Sequence, residues 1–120
     1  MQYLLMIYGD EQIFTSMNMA EHEAEYKRYM AFGKEFASSI VGGNALQPTS
    51  VATTVRLRDG KVLTTDGPFA ETKEQLGGYY LVEAANLDEA VAMAAKIPGA
   101  RHGSVEVRPI MTFAVAQGGM

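Results

Sequence analysis

Tyr3-Leu-Leu-Met-Ile-Tyr8 is an unbroken apolar run closed by Gly9-Asp10. A strand with one wet face would alternate apolar and polar positions; this one predicts a strand buried on both faces. Glu11–Met17 is a connection of mixed character. Asn18 is followed by Glu21, the spacing of a reciprocal capping box, so a helix begins there. Tyr26, Tyr29, Met30, Gly33, Phe36, Ala37 and Ile40 recur at helical spacing and form one apolar stripe. Lys27, Arg28, Lys34, Glu35, Ser38 and Ser39 fall on the other side. Gly42-Gly43 tolerates positive φ and supplies a stop, which predicts a helix over residues 19–41.

The period then changes. Val51, Thr53, Val55 and Leu57 share one face of a strand, and Thr54, Arg56 and Arg58 share the wetter one. Asp59-Gly60 is the signal of a two-residue type I′ hairpin, with Lys61–Thr65 as the return strand. A structured loop follows to about residue 76. Gly77-Gly-Tyr-Tyr-Leu-Val-Glu-Ala84 begins a second strongly apolar strand. Asn86 and Glu89 repeat the capping signal, and Leu87, Ala90, Val91, Ala94 and Ala95 make the buried stripe of a second helix. Pro98-Gly99 ends it. Val105–Arg108 alternates, and Pro109 limits further pairing. Ile110–Val115 extends that strand or packs on a partner. The expected organisation is one domain over residues 1–115 with a tail at 116–120.

Strand, helix, hairpin, strand, helix, strand is the βαββαβ pattern of a ferredoxin-like α+β sandwich, with the hairpin as an addition. Two helices cover one face of such a sheet. Residues 3–8 and 79–84 are apolar on both faces, so the second face needs a cover, and the chain predicts no third helix. A second copy is the simplest cover, giving a homodimer with a dimeric α+β barrel.

Composition narrows the classes. A chain of 120 residues with 48% hydrophobic and 20% charged positions is long enough for a real core. The net charge of −4 tells against nucleic acid as partner, since Arg56, Arg58, Lys61 and Lys73 make only a sparse basic cluster. The absence of cysteine excludes disulfides, thiolate chemistry and Cys-based zinc sites. No N-terminal basic region leads into a long apolar run, and residues 3–8 are too few to span a bilayer. A cytoplasmic location without membrane association is the expectation.

The candidate chemistry sits between the hairpin and the second apolar strand. Asp66-Gly67-Pro68-Phe69 reads in two ways. As a turn, Asp66 accepts backbone hydrogen bonds, Gly67 takes an unusual angle, Pro68 fixes φ, and Phe69 anchors the loop in the core. As a site, the same turn holds the Asp66 carboxylate at the mouth of a cleft as base or orienting group. Glu71, Lys73 and Glu74 are either a solvated cluster or a loop closing over a ligand, and with Asp66 they lack a recognised metal-loop spacing. Gly77-Gly78 is a bulge or a place of close approach. Of Tyr79 and Tyr80, one faces the helices and the other the opposite side, where a phenol would orient a polar ligand. His22 heads the apolar stripe of the first helix and can serve as acid or base. His102 reads as a loop residue, and no metal or cofactor is expected.

The opening Met1–Glu11, Thr53–Gly60 with Thr65-Asp-Gly-Pro-Phe-Ala-Glu-Thr-Lys-Glu-Gln-Leu-Gly-Gly-Tyr-Tyr80, and Gly103–Ile110 together resemble the YCII-related, DGPF-domain family. The resemblance runs from residue 1 to about 110. It implies the ferredoxin-like fold and the dimeric barrel. It also implies bacterial origin, and a link to sigma factors that neighbour or fuse with many members. The wider superfamily holds muconolactone-isomerase-like enzymes, and some relatives carry a His–Asp pair proposed as catalytic. Asp66 lies in the signature segment; His22 is the histidine on the first helix. Two function classes stand side by side. One is a dimeric module that binds a small organic ligand and serves transcription regulation. The other is an isomerase or lyase using Asp66, with His22 or Tyr79 assisting. In either, Gly67, Pro68, Phe69, Glu71, Lys73, Glu74, Gly77, Gly78 and Tyr80 line the cleft.

Overall fold

A computed structural model describes residues 1–113. The expected tail at 116–120 lies outside the described residues. Strand β1 spans Gln2–Gly9 and is followed by helices α1, Glu11–Ser16, and α2, Met19–Glu35. Then come β2, Ile40–Ala45; β3, Thr53–Arg58; β4, Lys61–Asp66; and β5, Gln75–Glu83. Helix α3, Leu87–Ala94, and strand β6, Ser104–Pro109, complete the fold, with short 3-10 turns at Thr49–Val51 and Pro98–Arg101.

Four strands pair in the order β2-β5-β1-β6, every neighbour antiparallel. With two longer helices on one side, this is an α+β sandwich consistent with the ferredoxin-like pattern. Strands β3 and β4 form a separate two-stranded ribbon. Asp59 at φ 50 and Gly60 at φ 75 turn it, as a type I′ hairpin requires. The ribbon's exposed strands and the extents of 47 × 43 × 18 Å make the molecule flat. Its radius of gyration is 16.5 Å, where a compact chain of this length would have about 14 Å.

The core lies between the sheet and the helices. Tyr3 and Leu5 of β1 and Val82 of β5 point to that side, where they meet Phe32 of α2, Ala90, Met93 and Ala94 of α3, and Ile97. Leu5, Val82 and Ile97 are fully buried, each worth about 2 kcal/mol by removal from water. Both predicted caps are present. Asn18 and Glu21 exchange hydrogen bonds as a capping box, and the Asn86 side chain accepts from the Glu89 N–H.

Four expectations need correction. The first long helix stops at Glu35, with Phe36 as its C-cap, and Ile40–Ala45 is a strand. The β-branched pair Ile40-Val41 favours extended backbone. Gly43 serves close strand packing: a Cβ there would lie 2.6 Å from the Tyr79 carbonyl oxygen and 2.9 Å from the Tyr80 ring. The helix's buried side is also rotated from the predicted stripe. Phe32 is buried, with Tyr29 and Phe36 beside it, while Tyr26 and Met30 are exposed. The mixed connection after β1 contains the short helix α1, started by the Asp10 side chain accepting from the Gln12 N–H. Phe69, expected as a core anchor, is 80% exposed. The loop that carries it descends from the hairpin, which stands away from the helix-covered core.

Candidate functional site

The sheet's other face is built by the alternate residues of the same strands. On β1 these are Leu4, Met6 and Tyr8. Opposite them stand Leu81, Tyr79 and Leu76 of β5, and Arg108, Glu106 and Ser104 of β6. None of the β1 and β5 residues on this face belongs to the core cluster packed under the helices. The double-sided apolar character of β1 and β5 therefore has a structural meaning. One side is the core, and the other is a second apolar surface flanked by polar residues of the edge strand β6.

The register settles the two tyrosines. Tyr80 faces the helices, its ring 5.0 Å from that of Phe32, and burial pushes its phenol pKa up. Tyr79 faces the open side, where its hydroxyl accepts from Asn44 Nδ2 at 3.0 Å. Gly77 is the extra residue at a shift of register between Ile7 and Tyr8, so the glycine pair does form a bulge. Gly78 is buried against β2, and a Cβ there would meet the Asn44 carbonyl oxygen at 3.0 Å.

At the β6 end of this face lies a solvent-open depression of about 750 Å³, lined by Tyr8, Thr72, Lys73, Glu74, Ser104, Val105 and Glu106. Short polar contacts shape its rim. Ser104 Oγ donates to Glu74 Oε1 at 2.8 Å, and Thr72 Oγ1 donates to the Glu74 carbonyl at 2.5 Å. Gln75 Nε2 donates to the Thr72 carbonyl, while Gln75 Oε1 accepts from the Glu11 N–H at 3.0 Å. The Glu11 carboxylate in turn accepts from the Thr49 N–H and hydroxyl at 2.8 and 2.7 Å. The start of α1, the 3-10 turn and the Thr72–Gln75 loop are thus tied together. With one ammonium, two carboxylates, a phenol and a serine hydroxyl, the depression offers an ion pair and several hydrogen bonds to a small polar molecule. Among the described residues, no group of three or more His, Asp or Glu is placed to hold a metal ion.

Only part of the sequence-predicted site gathers here. Lys73 and Glu74 line the depression, and Tyr79 shares its sheet face. Asp66 ends β4 opposite Thr53, exposed to solvent. Gly67 takes φ 97; its N–H donates to the Ala52 carbonyl at 2.7 Å, and its own carbonyl accepts from Thr54 Oγ1 at 2.8 Å. Pro68 and Glu71 follow on the exposed loop. His22 packs edge-on against Phe14, ring centroids 4.6 Å apart, on α2. Asp66 and His22 do not line the depression. Tyr8, Asn44, Ser104 and Glu106 were not singled out from sequence. Only the strand register brings them beside Lys73 and Tyr79, and the chain carries no local signal of it.

A second polar cluster lies on the helix side. Glu25 of α2, mostly buried, has Arg28 at 3.2 Å, His102 at 3.5 Å and Arg101 at 3.9 Å. The Tyr29 hydroxyl accepts from the Gly99 N–H at 3.2 Å. Desolvation, offset in part by that bond and reinforced by the Glu25 and Tyr80 charges, pushes the Tyr29 pKa up to about 12. These contacts fasten α2 to the Pro98–Arg101 turn.

Sheet order, helix placement and an inserted ribbon define a small α+β domain of ferredoxin-like arrangement with a hairpin arm. The chain belongs to the YCII-related domain family, which matches it over residues 1–114. It is 37% identical over 117 residues to an uncharacterized protein of Rhizobium meliloti (strain 1021), a match spanning 94% of each chain. No helix among the described residues is long and apolar enough to cross a membrane.

Proposed function

We propose that the chain acts as a two-fold dimer, sheet face on sheet face, that binds a small organic acid. The observation that carries this reading is the apolar patch of Leu4, Met6, Tyr79 and Leu81 running into the polar depression of Tyr8, Lys73, Glu74 and Ser104. A second copy laid over the patch forms the dimeric α+β barrel and turns the open depression into an enclosed one. Lys73 supplies the charge for a carboxylate, Tyr8 supplies a hydroxyl, and the apolar patch takes the carbon skeleton. Binding fits the placement of the acidic residues better than acid–base catalysis does. Asp66 is exposed on the hairpin and His22 is packed on Phe14, so neither stands beside the other polar groups.

Two measurements test it. Sedimentation velocity at micromolar concentration is expected to show a dimer; a monomer would overturn the assembly. Thermal-shift screening against small mono- and dicarboxylic acids is expected to find stabilisation that Lys73→Ala abolishes and Asp66→Asn leaves in place. Stabilisation indifferent to Lys73, or dependent on Asp66, would overturn the assignment of the site.

A further inference from the structure

The hairpin β3–β4 has the surface of an element that is half of an interface. Val55 and Leu57 of β3 and Val62 of β4 share one face, since Leu57 pairs with Val62 and Val55 with Thr64. These three are 62%, 64% and 68% exposed. An isolated two-stranded ribbon is marginal in water and needs packing on one face to hold its shape. Here the apolar face receives none from its own chain's described residues.

We propose that the hairpin is an exchange arm that lies across a second copy of this chain. This rests on the sheet-to-sheet dimer and adds the element that closes it. Area is the first argument. Four strands at about 4.8 Å spacing, six residues long at about 3.3 Å each, give the open face a footprint of about 400 Å². A stable interface takes roughly 800 Å² from each partner. The arm's two strands cover about 200 Å² by the same measure. In a two-fold pair each chain gives one arm and receives one, so arm exchange doubles the flat footprint to about 800 Å² and enlarges the accessible surface buried with it. The sheet face alone reaches about half of that.

Charge is the second argument. The arm's tip, Arg56–Lys61, carries three cations and one carboxylate, while the remaining positions carry seven cations and thirteen carboxylates. A basic tip on an acidic body is complementary to another copy and steers it. Gly67, at the arm's base with φ 97 and bonded to Ala52 and Thr54, sets the direction in which the ribbon leaves the body.

The test uses the full chain. Leu57→Asp places a charge on a solvent-exposed position, so each chain keeps its fold, as an unchanged circular dichroism spectrum will show. Its dimer dissociation constant by sedimentation is expected to rise at least tenfold. Arg58→Glu with Lys61→Glu is expected to weaken the dimer severalfold, most strongly at low salt. Because the chain lacks cysteine, a benzophenone maleimide on Leu57→Cys reports the arm's neighbour directly, and a cross-linked dimer is expected. A wild-type chain that is monomeric overturns both this inference and the dimer beneath it. A wild-type dimer whose constant is unchanged in Leu57→Asp, or whose Leu57→Cys label links only within its own chain, overturns the arm alone.

Discussion

Replacing Tyr29 with phenylalanine isolates one hydrogen bond and one titration. The ring stays, so the packing around it is kept. At neutral pH the cost is the acceptor of the Gly99 N–H, which donates to Tyr29 at 3.2 Å and belongs to a buried glycine. Such a donor left unpaired costs about 1 kcal/mol. The wild type should therefore be the more stable chain at neutral pH. Alkali acts the other way. The Tyr29 phenol is held near 12 in the folded chain against 10.0 ordinarily, chiefly by desolvation. Between those values the folded chain keeps a proton that the unfolded chain has lost. Stability is then fully present below the unfolded value and is lost as pH rises through the folded one. A shift of this size corresponds to about 2.7 kcal/mol if wholly expressed. Tyr29 is only partly shielded from solvent, and screening leaves about half, near 1.5 kcal/mol. Phenylalanine loses none of it. The Tyr80 phenol, also raised by burial, titrates in both chains, and only its repulsion of the Tyr29 charge, a minor part of the Tyr29 shift, is confined to the wild type. Urea unfolding of both chains across the alkaline range should show the wild-type advantage shrink above about pH 10 and invert as pH nears about 12. A constant difference throughout would refute the assignment of the titration to Tyr29.

Two smaller predictions bear on the sheet and the first long helix. Gly43→Ala should cost about 1–3 kcal/mol in denaturant unfolding, because its Cβ would press on the backbone of β5. Gly42→Ala, with open space at the same atom, should stay within about 0.5 kcal/mol, and equal losses at the two would contradict the close-packing account. Asn18→Ala should lower stability by about 1 kcal/mol, whereas Asn18→Gly should lose only a few tenths. An alanine variant as stable as the glycine one would show that the capping box contributes nothing.

Signals that act within a few residues were legible in the sequence. Asn18 with Glu21, Asn86 with Glu89, and Asp59-Gly60 each specify a local backbone geometry, and each is present. The apolar strands and the fold class followed from runs of residues alone. What sequence reading misassigned depends on contacts made across the chain. Ile40–Ala45 holds two glycines, a helix-ending signal by itself. Their strand role appears only when β5 lies against Gly43. Phe69 is as apolar as any core residue, and its exposure follows from where the hairpin stands. Lys73 and Glu74 were legible as a charged loop. Their neighbours Tyr8, Ser104 and Glu106 depended on a register that pairs the first residues of the chain with nearly the last.

That pairing has a consequence for how the protein is made. Strand β1 emerges first, yet both of its partners come late: Gln2 pairs with Glu83 and Tyr3 with Pro109. During synthesis the most apolar segment of the chain has no native neighbour until most of the sequence has been translated. Contacts of such long sequence separation close slowly, and an apolar strand left waiting is prone to pair wrongly. The nascent chain is thus most exposed to aggregation before β5 arrives. Slower translation through residues 10–75 would lengthen that interval.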